Sequence, residues 1–201
     1  GERHPHTALA MNDYANFHFS HNNFEEAEEM YSEILDIYLK AFGEDHPAIP
    51  VFYNNLGNTR DNLGDYETAL DYHQKALEQR IELYGEVHHQ TAQSYANKAT
   101  TLKNMEQYDE ALKNYNKALE IEMNVYGELH PEPAYSYAAI GNVYKFMGQM
   151  DDAEQNYLKG YEILLEVLRE DHFETENAKE RLVSLYEETG QNEKRDAFQE
   201  N

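Results

Sequence analysis

Residues 43–84, GEDHPAIPVFYNNLGNTRDNLGDYETALDYHQKALEQRIELY, hold two amphipathic patterns between glycine joints. In the first, Val51, Phe52, Asn55, Leu56, Thr59 and Leu63 recur at helical spacing. The pattern stops at Gly64, a residue suited to the left-handed conformation just past a helix end. In the second, Ala69, Leu70, His73, Ala76, Leu77, Ile81 and Tyr84 define an amphipathic helix of about four to five turns. Its first turn carries Glu67, which complements the positive N-terminal dipole. The stretch is therefore predicted to be a helical hairpin.

The same block recurs along the chain. GERHP starts at Gly1, GEDHP at Gly43, GEVHH at Gly85, GELHP at Gly127 and the degenerate REDHF at Arg169, each 42 residues after the last. Asn23-Phe24, Asp65-Tyr66, Gln107-Tyr108 and Gln149-Met150 keep the same period, as does the column Ala27, Ala69, Ala111, Ala153. A fixed period of this size signals an array in which each unit buries its apolar face on its neighbours. Ala15, Gly57, Ala99 and Gly141 mark where the first helix of a hairpin approaches the second, and a larger residue there would overpack by roughly 1–3 kcal/mol. At the joint, Gly ends one helix and Pro is tolerated in the first turn of the next. The joint histidines His4, His46, His88, His130 and His172 are read as loop or helix caps. Successive joints are separated by at least one interhelix spacing of about 8–10 Å, too far to share a metal ion. No metal site is expected, nor from His18 with His21 or His88 with His89, where a third ligand is missing.

Charge narrows the function further. With 39 acidic against 16 basic residues the net charge is −23, which repels phosphate backbones and anionic membranes, so nucleic acid and membrane are not expected partners. No run approaches the roughly 18 apolar residues of a membrane span. The absence of cysteine removes thiol catalysis and disulfides and fits a reducing compartment, hence a cytoplasmic location. No phosphate-binding loop, nucleophile elbow, zinc-protease helix or dinucleotide glycine pattern occurs, and neither an enzyme nor a cofactor is expected.

Tyr53-Asn54-Asn55-Leu56-Gly57 with Ala69, Leu70, Tyr72, Ala76 and Leu77 resembles the tetratricopeptide repeat, and repeat 4 echoes it in Tyr137, Ile140, Gly141, Tyr144, Ala153, Tyr157 and Gly160. The 42-residue unit with its YGE-x-HP joint is similar to the kinesin light chain subfamily. The resemblance implies an all-α fold, a right-handed α-solenoid of antiparallel helix pairs. Repeats would span 1–42, 43–84, 85–126 and 127–168, with 169–201 a degenerate cap in which Lys179, Val183 and Arg195 occupy columns that elsewhere hold Tyr, Gly and Ala, and Phe198 packs last.

In that family the first helices line a concave groove. Carried onto this chain, the inward columns hold Leu9, Asn12, Asp13 and Asn16; Val51, Asn54, Asn55 and Asn58; Gln93, Asn97, Thr100 and Lys103; Tyr135, Asn142 and Lys145. Asparagine is a poor helix former that carries both a donor and an acceptor, suited to clamping an extended peptide backbone. The cations with which relatives grip a C-terminal carboxylate are replaced here by Asn12, Gln93 and Asn97. Only Lys103 and Lys145, with Arg60 and Lys98 nearby, could serve an acidic cargo peptide. The expected function is a scaffold holding a protein or peptide segment in the groove. Acidic runs such as Glu25, Glu26, Glu28, Glu29, Glu33 and Asp36 leave room for a basic partner. The alternatives are a self-assembling module, a homo-oligomer through the array ends, where Leu9, Met11, Phe17 and Phe19 face either an upstream segment or a second copy, or a sensor segment of a larger signalling protein.

Overall fold

A computed structural model describes residues 5–199; Gly1, His4 and the side chain of Leu9, which the sequence reading uses, lie outside the described residues. The chain divides into two compact units, one running to Gln107 and the other starting at Tyr108. The first contains α1 (Pro5–Ser20), α2 (Phe24–Phe42), α3 (Ile49–Asn62), α4 (Tyr66–Tyr84) and α5 (His89–Asn104). The second contains α6 (Tyr108–Tyr126), α7 (Pro131–Phe146), α8 (Met150–Leu168), α9 (Phe173–Thr189) and α10 (Asn192–Gln199). The described residues contain no strand, and within each unit every helix packs on the next. In the first unit α3 also touches α5.

The hairpins within each unit close on the small-residue columns. Ala15, Ala27, Ala69, Ala99, Ala111 and Ala153 are all fully buried. At Gly57 an added Cβ would lie 2.6 Å from the His73 ring, and at Gly141 2.6 Å from the Tyr157 ring. The first unit's core gathers Ala8, Ala15, Ala27, Tyr31, Ile34, Leu35, Tyr38, Ile49, Phe52 and Leu56. In the second, Ala153, Tyr157, Leu182, Leu185 and Tyr186 form one cluster, with Phe198 packed against it 5.4 Å from Tyr161 and 5.8 Å from Tyr186.

The joint histidines His88, His130 and His172 cap α5, α7 and α9, and His46 holds the loop before α3. The Nδ1 atoms of His46, His88, His130 and His172 accept the backbone N–H of Ala48, Gln90, Glu132 and Glu174, each at 3.2 Å. The first three rings also stack on the aromatic four residues earlier, Phe42 to His46 at 4.6 Å, Tyr84 to His88 at 4.7 Å and Tyr126 to His130 at 4.4 Å. Acceptance requires an unprotonated Nδ1, which burial, with His89 and Arg80 nearby, favours at His88 by holding its pKa down.

The hairpin turns place Asn22, Gly64, Glu106, Gly148 and Gly190 in the left-handed region, so Gly64 behaves as its sequence context predicts. The joints are more demanding: Gly43 and Gly85 adopt φ 81°, ψ 179° and φ 86°, ψ 173°, a region essentially restricted to glycine. Arg169 takes the same conformation at φ 72°, ψ 171°. Such a backbone costs a side-chain-bearing residue about 1–3 kcal/mol, less the extra chain entropy a glycine loses on folding. Arg169→Gly is therefore expected to stabilise the second unit by about 1 kcal/mol, seen as a higher urea midpoint at unchanged slope. A lower midpoint would show that the arginine side chain contributes more than its backbone loses.

Candidate peptide-binding faces

In the first unit acidity separates the two helix types, whereas in the second the first helix α9 carries Glu174, Glu176, Glu180, Glu187 and Glu188. α2 alone carries Glu25, Glu26, Glu28, Glu29, Glu33 and Asp36, whereas α1 and α3 carry one carboxylate each, Asp13 and Asp61, and α5 none. The first helices are amide-rich instead, and the structure gives those amides distinct surroundings.

On α1, the Asn16 Oδ1 accepts from the Tyr31 hydroxyl at 2.6 Å, and on α7 the Asn142 Oδ1 accepts from Tyr157 at 2.6 Å. A tyrosine of the second helix thus fixes the amide orientation and leaves Nδ2 without a partner among the described residues. Asn12 is half-buried and its Oδ1 is buried unpaired. Asn54 is buried and accepts from the Asn97 Nδ2, so these two amides join α3 to α5. Asn104 likewise donates to the Asp61 Oδ2 at 2.8 Å, and Lys145 reaches Glu188 at 2.6 Å between α7 and α9. Burial pushes the Asp61 carboxyl up, countered by hydrogen bonds from Thr101 and Asn104 and by the Lys103 charge. Asn55 and Asn58 are half-buried and Gln93 is exposed, and the side chains of all three lack a hydrogen-bond partner among the described residues.

The cations are engaged. Arg60 pairs with Glu28 and with Asp65, Lys98 donates to Gln74 at 2.8 Å, and Lys145 is held by Glu188. Lys103 lies close to Asp61.

In the second unit α7, α8 and α9 enclose a cleft of about 160 Å³. Ala134, Ala138, Ala139, Gly160 and Ala178 leave the space, Tyr135, Tyr157 and Tyr161 wall it, and Asn142, Glu174, Asn177 and Arg181 supply polar groups. Sequence reasoning missed Glu174, Asn177 and Arg181. The signal was present: Ala138 stands one period after an alanine and two after Asn54, and Arg181 falls two periods after Asn97. Where the first unit has an amide pair, the second has an alanine opposite an arginine that makes no hydrogen bond or ion pair among the described residues. Burial, then a hydrogen bond to Glu174, pushes the Tyr135 hydroxyl up to about 12.

Among the described residues no three histidines or carboxylates gather to hold a metal, and no helix is long and apolar enough to cross a membrane.

Antiparallel helix pairs with a 42-residue period, closed on small-residue columns and displaying amide-lined first helices, define an α-hairpin repeat protein. The chain belongs to the tetratricopeptide repeat family, whose sequence profiles match residues 49–121 and 96–166 and, with a second profile, residues 7–48. No curated protein matches it in sequence. Similar solved structures include a Podosopora anserina protein described as a kinesin light chain with nearly identical TPR-like repeats, at 18% identity and TM-score 0.80 over 98% of this chain and 94% of that one. BtubC (BKLC) from P. vanneervenii is similar at 22% identity and TM-score 0.79, over 92% of this chain and 73% of that one. A Rap protein complexed with Competence and Sporulation Factor matches at 17% identity and TM-score 0.75, over 94% of this chain and 50% of that one. At these identities the likeness is one of fold.

Proposed function

We propose that the chain is a non-catalytic interaction module that holds an extended polypeptide segment against its first-helix faces. The observation that carries this reading is the pair of oriented amides: Asn16 and Asn142 each have Oδ1 fixed by a tyrosine and Nδ2 left to donate, the arrangement a peptide carbonyl needs. Asn55, Asn58 and Gln93 add unpaired amides in the first unit. The Rap complex, in which a similar fold carries Competence and Sporulation Factor, supports a protein or peptide ligand. The absence of cysteine fits work in the cytoplasm. Because Lys98, Lys145 and Arg60 are already paired, a neutral or basic segment suits the faces better than an acidic one, and the carboxylates of the second helices attract it.

A random peptide library selected on the full chain tests this. Selected peptides are expected to lose about tenfold in affinity on Asn55→Ala with Asn58→Ala, or on Asn142→Ala with Arg181→Ala, and to bind more weakly at higher salt. Asn97→Ala is expected instead to cost about 1 kcal/mol of stability, since it strands the buried Asn54. Failure to enrich any peptide, or affinities indifferent to both double variants, would remove the proposal.

A further inference from the structure

The cleft of the second unit is electrically polarised. Tyr135, in the second turn of α7, donates its hydroxyl to Glu174 in the first turn of α9, and the Glu132 charge acts on the same hydroxyl. Further along, Lys145 meets Glu188 at 2.6 Å, so α7 and α9 run parallel along the cleft. Arg181 lies two turns beyond Glu174 on α9, a rise of about 10 Å. Its charge reaches the Tyr157 hydroxyl, which donates to Asn142. One end of the cleft thus presents carboxylates, and the other a guanidinium together with the Asn142 Nδ2.

Neither end is neutralised within the unit. Among the described residues Glu132, Glu174 and Arg181 take part in no ion pair. Two helical turns keep Glu174 and Arg181 apart, Glu188 is held by Lys145, and Lys179 turns to Glu170 at 3.9 Å. In a chain of net charge −23 an arginine without a carboxylate stands out, for Lys40, Arg60, Lys113, Lys117 and Lys194 each hold one. The charges are also particular to this cleft. In the first unit the equivalents of Glu174 and Arg181 are Gln90 and Asn97, both neutral, and Asn97 is occupied by Asn54. Ala138 replaces Asn54 in the second unit, which opens space and leaves Arg181 no amide to bond.

An extended chain rises about 3.3 Å per residue, so side chains two or three residues apart span about 7–10 Å, close to the separation of the two ends. We infer that this cleft selects a peptide segment with one basic and one acidic side chain at that spacing, the base against Glu174 and the acid against Arg181 and Asn142. The inference rests on the module holding a peptide and adds which kind the second unit takes. A segment with a single charge leaves the opposite end of the cleft unpaired, and one with two like charges is repelled at one end. Ala134, Ala138 and Ala139 leave room for the uncharged residues between the two.

A library of short random peptides, blocked at both termini so that only side chains carry charge, is selected on the full chain. Enriched peptides that bind the second unit are expected to combine Lys or Arg with Asp or Glu at this spacing, and to weaken at least tenfold when either becomes alanine. Arg181→Glu should lose these peptides and regain them when the peptide's acid is replaced by lysine. Glu174→Gln should make the peptide's base dispensable while leaving the dependence on its acid. Both variants are expected to melt with the natural chain, because Arg181 is exposed and glutamine keeps an acceptor for Tyr135. Enriched peptides without the charge pair, or a charge pair indifferent to both variants, would overturn the inference. If those peptides still weakened on Asn55→Ala with Asn58→Ala, the module would remain a peptide holder, whereas no enrichment at all would overturn both readings.

Discussion

Acidification from pH 7 to 4 is expected to remove about 3 kcal/mol from the first unit through one residue, His73. Its column holds Tyr31, His73, Tyr115 and Tyr157, so a histidine stands where the other hairpins bury a tyrosine. His73 is 1% exposed, its Nδ1 has no partner, and burial, followed by the Arg80 charge, pulls its pKa down to about 4. The folded state therefore binds the proton less readily than the unfolded chain at 6.5. The resulting stability is complete above the unfolded value and is lost as pH falls from about 6.5 to 4, at about 1.4 kcal/mol per unit. His73→Tyr should abolish that loss. Gly57 faces residue 73 as Gly141 faces Tyr157, so the larger ring has room, and Asn58 sits where Asn16 and Asn142 accept a tyrosine hydroxyl. The variant is expected to gain about 1 kcal/mol at pH 7 from the new hydrogen bond. Relative to the natural chain its advantage should grow to about 4 kcal/mol at pH 4. Urea denaturation of both proteins at the two pH values decides it, and parallel losses in the two would show that His73 is not the titrating group.

The period made the helices legible before any coordinates. Phe24, Tyr66, Tyr108, Met150 and Asn192 open the second helices at the predicted spacing, and the joint histidines His88, His130 and His172 cap as read. What the period hid is equally specific. Asn54 bonds Asn97, Asp61 bonds Asn104 and Lys145 bonds Glu188, all 43 residues apart, because neighbouring first helices meet one residue out of the repeat register. Aligning equal columns sets Asn54 beside Ala96 and conceals its partner. Asn16 and Asn142 looked like free amides because their tyrosines lie 15 residues away on the other arm of the hairpin, outside any first-helix comparison. A charged residue in an apolar column was a visible but unread signal: Tyr38, Arg80, Glu122 and Leu164 share one column, and all four are buried.

Glu122 in that column predicts the opposite pH response for the second unit. The side chain is 7% exposed and its Oε2 is unpaired. Burial raises its pKa from 4.5 to about 7, partly offset by a hydrogen bond with Ser136 and reinforced by Glu132. Here the folded state binds the proton more tightly. Its contribution is complete below the unfolded value of 4.5 and is lost as pH rises through about 7, a difference of about 3 kcal/mol. Arg80, one period earlier, meets the equivalent Ser94 at 2.8 Å and also reaches the Gln90 carbonyl at 3.0 Å, so its buried charge is better satisfied. Glu122→Gln keeps the size and a hydrogen bond to Ser136 while removing the ionisation. The variant is expected to exceed the natural chain by about 3 kcal/mol at pH 8 and to match it near pH 4.5. Comparing the two proteins at each pH cancels the relief of general repulsion that acid brings to a chain of net charge −23. A constant difference across that range would mean that Glu122 ionises in the fold as freely as in the unfolded chain, and that the α6–α7 joint admits water to its carboxylate.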